Sequence, residues 1–256
     1  MLTSATIKSI KALHRKINRK EQSLFIAEGD KICRELLQSN YGIKGIYALK
    51  HWIENNETLL SGKDCVYEIT EKELSRISAL KTPNNALIVA RSQTINPKDI
   101  DLKANITIVL DNIQDAGNLG TIIRTADWFG VRNIVCSDDT VELYNPKVIQ
   151  STMGSFLRLN VIHTELSDFF NTVAAKFSIP VYGASLDGEK LSETKPPKEC
   201  LLVIGNESKG ISKELQKYIT SKITIPAFIN NPGYQPESLN AAIATSIIIS
   251  WFKMRS

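Results

Sequence analysis

Arg124 is the first side chain in this 256-residue sequence that demands a chemical explanation. It lies in DNIQDAGNLGTIIRTADWFGV, six residues after Asn118 and beside the apolar pair Ile122–Ile123. A guanidinium partly covered by such neighbours needs an anionic partner, because an unpaired buried charge is costly. Gly117 and Gly120 bracket Asn118, so the turn could approach a dinucleotide, but the G-x-G-x-x-G spacing is absent. The plainer role for Asn118 is a helix N-cap. A second polar loop, CLLVIGNESKGIS, sets Glu207 between Gly205 and Gly210. A phosphate-cradling loop requires Lys and Ser/Thr directly after its second glycine. Here Ile211 and Ser212 follow, and Glu207 would repel a triphosphate. A third loop, ITIPAFINNPGYQPESLNAAIATSIII, puts Ser238 and Asn240 in the first turn of an apolar helix, facing the loop before it. Capping alone accounts for one of the two.

These loops need a scaffold, and the pattern around them supplies one. From Asn105 onward the runs ITIVL, NIVCSD, FLRLNVI, IPVYGAS, CLLVIGN and KITIPA read as strands. They alternate with the helical runs LGTIIRTADWF, stopped by Gly130, LSDFFNTVAAKF, SKELQKYI, capped by Ser212, and SLNAAIATSIIISWF. Strand–helix alternation on this scale predicts an α/β fold with a mostly parallel sheet and helices on both faces. Ligands in such folds bind beyond the carboxyl ends of the strands, so the loops after Leu110, Tyr182, Ile204 and Ile225 are the ones expected to matter. Between Ser23 and Arg91, SLFIAEG, IKGIYAL, CVYEI and ALIVAR alternate with DKICRELLQSN and EKELSRIS, a smaller α/β module. The polar stretch SQTINPKDIDLKAN separates the two, giving expected domains of 1–95 and 105–256.

Charge is distributed unevenly. Residues 1–100 carry 16 basic and 11 acidic side chains, and residues 101–256 carry 15 and 16, so the whole surplus of the net +4 lies in the first part. The first twenty residues hold Lys8, Lys11, Arg15, Lys16, Arg19 and Lys20 with no acid, and Ile7, Ile10, Leu13 and Ile17 recur at helical spacing. One amphipathic basic helix is expected there. Three roles stay open for it: a solvated face, a transit peptide, or a polyanion-binding element. Cys33, Cys65, Cys136 and Cys200 are far apart, and so are His14, His51 and His163. That spacing fits reduced thiols in a cytoplasmic protein and offers no metal site. Ala241 to Phe252 is the most apolar stretch and is too short to span a bilayer, so no membrane partner is expected.

Taken together, N-x-G-x-x-x-R, then I-G-N-E-x-x-G-I, then I-P…E-S-L-N, in that order, resemble the three signature motifs of the SpoU (TrmH) family of RNA 2'-O-ribose methyltransferases in the SPOUT superfamily. KSIKALHRKINRKEQSLFIAEGDKICRELL is similar to the opening of that family's accessory substrate-binding domain, which has a fold like a ribosomal RNA-binding protein. The resemblance implies a trefoil-knotted catalytic domain, S-adenosylmethionine as cofactor, and a homodimer formed through the knotted domain. It implies Arg124, Asn118, Glu207, Ser238 and Asn240 as site residues, with Glu207 orienting Arg124 or a knot loop. Gly205, Ile225 and Leu239, with Ala184 beside them, would contact the cofactor. The substrate implied is structured RNA, 23S ribosomal before transfer RNA, docked by Arg15, Lys16, Arg19 and Lys20. A non-catalytic RNA-binding or ribosome-assembly factor on the same fold is the alternative, and the intact motifs argue against it. In one place the chain departs from the family pattern. AFINNPGYQPE, with Tyr234 and two prolines, lengthens the loop before Ser238, and is expected to tune RNA access or dimer contact.

Overall fold

The computed structural model describes residues 1–228 and 237–255, so Tyr234 and most of the lengthened loop lie outside the described residues. The chain forms two compact units. The first comprises Met1–Thr94 together with Leu143–Leu157, and the second comprises Ile95–Glu142 and the chain from Arg158 onward.

The first unit runs α1 (Ser4–Ala12), α2 (Lys16–Gln22), β1 (Leu24–Glu28), α3 (Asp30–Leu37), β2 (Ile43–Ala48), α4 (Lys50–Asn55), α5 (Glu57–Leu60), β3 (Val66–Glu68), α6 (Glu71–Ile77) and β4 (Ala86–Arg91). Its sheet has the order β1-β4-β2-β3, with β4 antiparallel to both neighbours and β2 parallel to β3. Ile7, Ile10 and Leu13 of the α1 segment bury against Ile26, Tyr47, Leu87 and Val89 on one face of the sheet. The single basic helix expected at the start is broken in two. Asn18 Nδ2 donates to Ala12 O at 2.8 Å and Arg19 Nη1 to Leu13 O at 2.6 Å, so α2 side chains satisfy carbonyls that continuing α1 would have used. Arg19 is therefore a corner post and not a phosphate contact. It is only 4% exposed, and burial pulls its guanidinium below the ordinary range. Arg15, Lys16 and Lys20 remain exposed.

The second unit contains β5 (Ile106–Leu110), α7 (Ala116–Trp128), β6 (Asn133–Cys136), β7 (Asn160–His163), α9 (Leu166–Thr172), β8 (Val181–Lys190), β9 (Cys200–Ile204), α10 (Lys213–Gln216), β10 (Ser221–Thr224) and α11 (Ala241–Arg255). The intervening α8 (Pro146–Thr152) belongs to the first unit. Every neighbour pair in the order β10-β8-β9-β5-β6-β7 is parallel. The continuous apolar runs of β5 and β9 are buried along their whole length, as central strands covered on both faces must be.

Residues 143–157 differ from the division expected from sequence, because they pack in the first unit. Tyr144 and Phe156 lie 4.6 and 5.9 Å from Phe25, centroid to centroid, and the Tyr144 hydroxyl accepts from Gln93 N at 2.9 Å. Aromatic burial outweighs sequence continuity here.

Glu73 ties the start of the chain to this unit. Its carboxylate accepts from Leu2 N at 2.6 Å and Thr70 N at 3.0 Å, completing a capping box on α6. The Thr70 backbone contact, then the one from Leu2, lowers the carboxyl to about 2. A depressed carboxyl stabilises the fold above the ordinary glutamate value and loses that contribution as pH falls through the folded one. Glu73→Gln should therefore lower the urea midpoint at pH 7 and flatten its decline between about pH 4 and about pH 2. An unchanged pH profile would count against the tether.

Candidate active site

The carboxyl ends of β5, β9 and β10 deliver three polar loops to one edge of the second sheet. The first begins at Asp111, which is buried directly after β5 and accepts from Ser212 N at 2.7 Å. That contact, with Asn206 Nδ2 donating to Asn112 O at 2.9 Å, joins the first loop to the second. The second loop folds back on itself as Asn206 and Gly210 exchange backbone hydrogen bonds of 3.1 and 2.8 Å. Only glycine fits at 205, where a Cβ would lie 2.2 Å from the Gly210 carbonyl carbon.

Local capping differs from the sequence expectation at three helices. Asp115 caps α7 by accepting from Asn118 N at 2.8 Å, which leaves the Asn118 side chain available for another partner. α11 starts at Ala241 and is capped by Asn240, whose Oδ1 accepts from Ala242 N at 3.0 Å and Ile243 N at 3.2 Å. Ser238 thus precedes the helix. Ser212 does stand at the N-cap of α10, but its side chain makes no capping bond and the helix is four residues long.

Glu207 is where the three loops meet. Its Oε1 accepts from Asn118 Nδ2 at 2.9 Å, Asn240 Nδ2 at 2.8 Å and Ala241 N at 3.1 Å. Asn240 Nδ2 also donates to Asn118 Oδ1 at 2.9 Å, closing the triangle. A carboxylate accepting the first free N–H of α11 also sits favourably against the positive end of the helix. Of the two roles expected for Glu207, orienting Arg124 or a loop, no bond to Arg124 occurs among the described residues, and its partners are the loops themselves.

Arg124 is displaced from this cluster. Six residues of helix carry it about 9 Å along α7 from Asn118. It is exposed, not partly buried as its apolar neighbours suggested, and among the described residues it has no carboxylate partner. The apolar residues beside it in sequence point into the core, while the charge points out.

Beside the Glu207 junction opens a cleft of about 680 Å³. Gly205, Ile225, Leu239 and Ala184 all line it, with Glu207 and Ser238, whereas Asn118, Arg124 and Asn240 do not. Its walls are mostly aliphatic, including Ile204, Ile223 and Ile248, and its size suits a nucleoside-sized ligand. Sequence reasoning passed over Asp111 and Lys209. An acid directly after a fully buried strand is a readable signal for the first; Lys209, at the tip of the second loop, has only its position. Burial pushes the Cys200 thiol up to about 12, and the Cys33 and Cys136 thiols up as well, so none is poised as a nucleophile. No cluster of metal-ligating side chains occurs among the described residues.

Comparison with known proteins adds to this geometry. Residues 105–250 match the model of the SpoU rRNA Methylase family, and residues 4–88 match an MRM3-like substrate binding domain. The chain is 30% identical over 244 residues to the 23S rRNA (guanosine(2553)-2'-O)-methyltransferase RlmP of Bacillus subtilis, covering 95% of this chain and 94% of that one. A Porphyromonas gingivalis structure assigned to the TrmH family of RNA methyltransferases superposes with a TM-score of 0.88 at 32% identity, covering 100% of both chains. An AdoMet-bound rRNA methyltransferase from Sinorhizobium meliloti gives a TM-score of 0.88 at 28% identity, covering 99% of this chain and 96% of that one.

The junction makes a specific prediction. Glu207→Ala should lower stability by about 1–2 kcal/mol and speed amide exchange at the start of α11, while Glu207→Gln, which keeps an acceptor oxygen, should lose less. Equal stability of wild type and Glu207→Ala in chemical denaturation would show that the loops do not depend on this carboxylate.

Proposed function

The chain belongs to the SpoU rRNA methylase family, and we propose that it uses S-adenosylmethionine to methylate a ribose 2'-hydroxyl of 23S ribosomal RNA. It is an RNA methyltransferase; the observation that carries the finer reading is the meeting of all three family loops on Glu207 at the rim of the cleft.

Residues 105–256, apart from 143–157, which pack in the first unit, form the catalytic domain in this reading, and residues 1–95 dock RNA. The cleft fits the cofactor in size and lining: Gly205, Ile225, Leu239 and Ala184 would hold its adenosine portion by backbone and apolar contacts. When bound, S-adenosylmethionine would supply an electrophilic methyl group to the ribose 2'-oxygen, its S–CH3 bond breaking to leave S-adenosylhomocysteine while the hydroxyl proton passes to solvent. A 2'-hydroxyl is a poor nucleophile unless the charge developing on its oxygen is stabilised. Arg124 suits that task and the binding of the adjacent phosphate, because it is exposed and has no carboxylate partner among the described residues. It is unsuited to act as a base, since guanidinium stays protonated above pH 12. Asn118 and Asn240 act as positioning residues through Glu207, and the exposed Ser238 hydroxyl is available to the ribose. Arg15, Lys16 and Lys20 supply phosphate contacts on the docking domain.

The homodimer and the knot belong to the same reading. Trp128 of α7 is 85% exposed, and Ile243, Ile247 and Met254 of α11 are exposed too, an apolar face that water disfavours. The two helices pack together, with Thr125 Oγ1 and Ser246 Oγ 3.0 Å apart, so these side chains belong to one α7–α11 layer. A second copy covering this layer would bring its own groups towards Arg124, which has no carboxylate partner among the described residues of its own subunit. The likeness of the whole chain to solved SpoU enzymes supports a trefoil knot between β9 and α11. A cytoplasmic location agrees with four free cysteines, and no helix among the described residues is long and apolar enough to cross a membrane.

Arg124→Ala should lower methyl transfer to 23S ribosomal RNA at least about 100-fold while S-adenosylhomocysteine affinity is retained. Full turnover by this variant would overturn the assignment. Ile247→Glu should convert the dimer to a monomer in sedimentation velocity at micromolar concentration; a wild type that is already monomeric would exclude the shared site.

A further inference from the structure

The outer rim of the cleft is built from residues that the three family motifs do not use. β10 pairs with β8 in two stretches, Lys222 opposite Gly183 and Ile223 opposite Glu189, so residues 184–188 leave the ladder as a projecting bulge. Asp187 fastens the bulge by accepting from the Ser185 hydroxyl and from Lys222 Nζ at 2.9 Å. Gly188 passes so close to β10 that a Cβ would lie 2.5 Å from Ile223 N. Leu186 lies on this bulge, lines the cleft and is 75% exposed. Phe228, just beyond the end of β10, lines the same cleft and is 91% exposed. It occupies the stretch where this chain departs from the family pattern.

One cation shares that cleft. Lys209 lines it at the tip of its folded loop, and among the described residues it has no carboxylate partner. An exposed phenyl ring lining the same cleft as an uncompensated cation suits neither a protein core nor the charged end of an amino-acid-bearing cofactor. It matches single-stranded RNA, whose bases offer flat π faces and whose phosphates require positive charge.

We propose that Phe228, supported by Leu186, is the stacking platform for an unpaired nucleobase of the RNA at the mouth of the cleft, with Lys209 taking a neighbouring phosphate. The platform sets which strand conformation is accepted: a base held in a duplex cannot reach it, and a splayed base can. The identity of the ligand as RNA rests on the methyltransferase reading, but binding requires no turnover.

The test uses the full-length protein loaded with S-adenosylhomocysteine and a fluorescein-labelled single-stranded oligoadenylate, followed by anisotropy. Phe228→Ala should weaken binding about tenfold, and Phe228→Trp should restore it, as expected for base–aromatic stacking. S-adenosylhomocysteine affinity, measured by calorimetry, should be the same in all three proteins. With 23S ribosomal RNA as substrate, Phe228→Ala should raise KM and leave kcat. Unchanged oligoadenylate affinity would overturn the proposal. An equal loss of S-adenosylhomocysteine affinity would also overturn it, making Phe228 a cofactor cover, and a change in sedimentation would make it a subunit contact. The loss should persist in an Arg124→Ala background, so failure of methyl transfer and failure of stacking are separate results.

Discussion

One carboxylate oxygen organises the catalytic edge of this molecule. Glu207 Oε1 draws hydrogen bonds from the helix after β5 and from both the residue before α11 and the first residue within it. Each loop arrives from a different strand. Without the shared acceptor, the Asn118 and Asn240 amides and the first N–H of α11 would each need water or another partner. The cleft depends on this indirectly, since Gly205 and Leu239, on opposite sides of the junction in sequence, both line it.

The two arginines singled out by sequence have exchanged the roles their surroundings suggested. Arg124 follows two isoleucines and reads as half-buried, yet Ile122 and Ile123 turn into the core while Arg124 faces outward. Arg19 reads as one of four docking cations, yet it is buried and closes the corner between α1 and α2. The same physics decides both. A helix rotates about 100° per residue, so neighbours in sequence say little about which side of it a charge occupies. A guanidinium is long enough to abandon solvent where a run of orphan carbonyls offers compensation.

The ten strands among the described residues were legible in the sequence, because β-branched runs separated by polar turns leave little alternative. The order β10-β8-β9-β5-β6-β7 was not, since parallel pairing depends on crossovers that periodicity does not encode. The site residues were legible as motifs, and their partners were not. Nothing in the spacing of Asn118, Glu207 and Asn240 specifies that they bond to one another, because the contacts span 89, 33 and 122 positions. The allegiance of residues 143–157 was also hidden. Tyr144 and Phe156 look like any aromatics of an α/β chain until Phe25 and Tyr41 are beside them.

Cofactor and RNA pose opposite recognition problems, and the residues divide accordingly. A small ligand of fixed shape can be held by backbone edges and aliphatic walls, which is what Gly205, Ile225 and Leu239 offer once the loops are pinned. Such contacts tolerate no looseness, so the precision lies in Asp111, Asp115 and Glu207, acceptors that fix backbone N–H groups. RNA arrives as a flexible polyanion, and a rigid, fully compensated surface would repel or ignore it. Arg124, Lys209 and Phe228 are accordingly groups that the fold leaves exposed: two cations with no carboxylate partner among the described residues and an aromatic ring that is 91% exposed. Two carboxylates near the cleft are meanwhile occupied, Glu207 by its three donors and Asp187 by Ser185 and Lys222, so their charge is partly neutralised where phosphate must approach. An acid left free at either place would oppose the substrate; bound up in loop architecture, it helps to build the site that receives it.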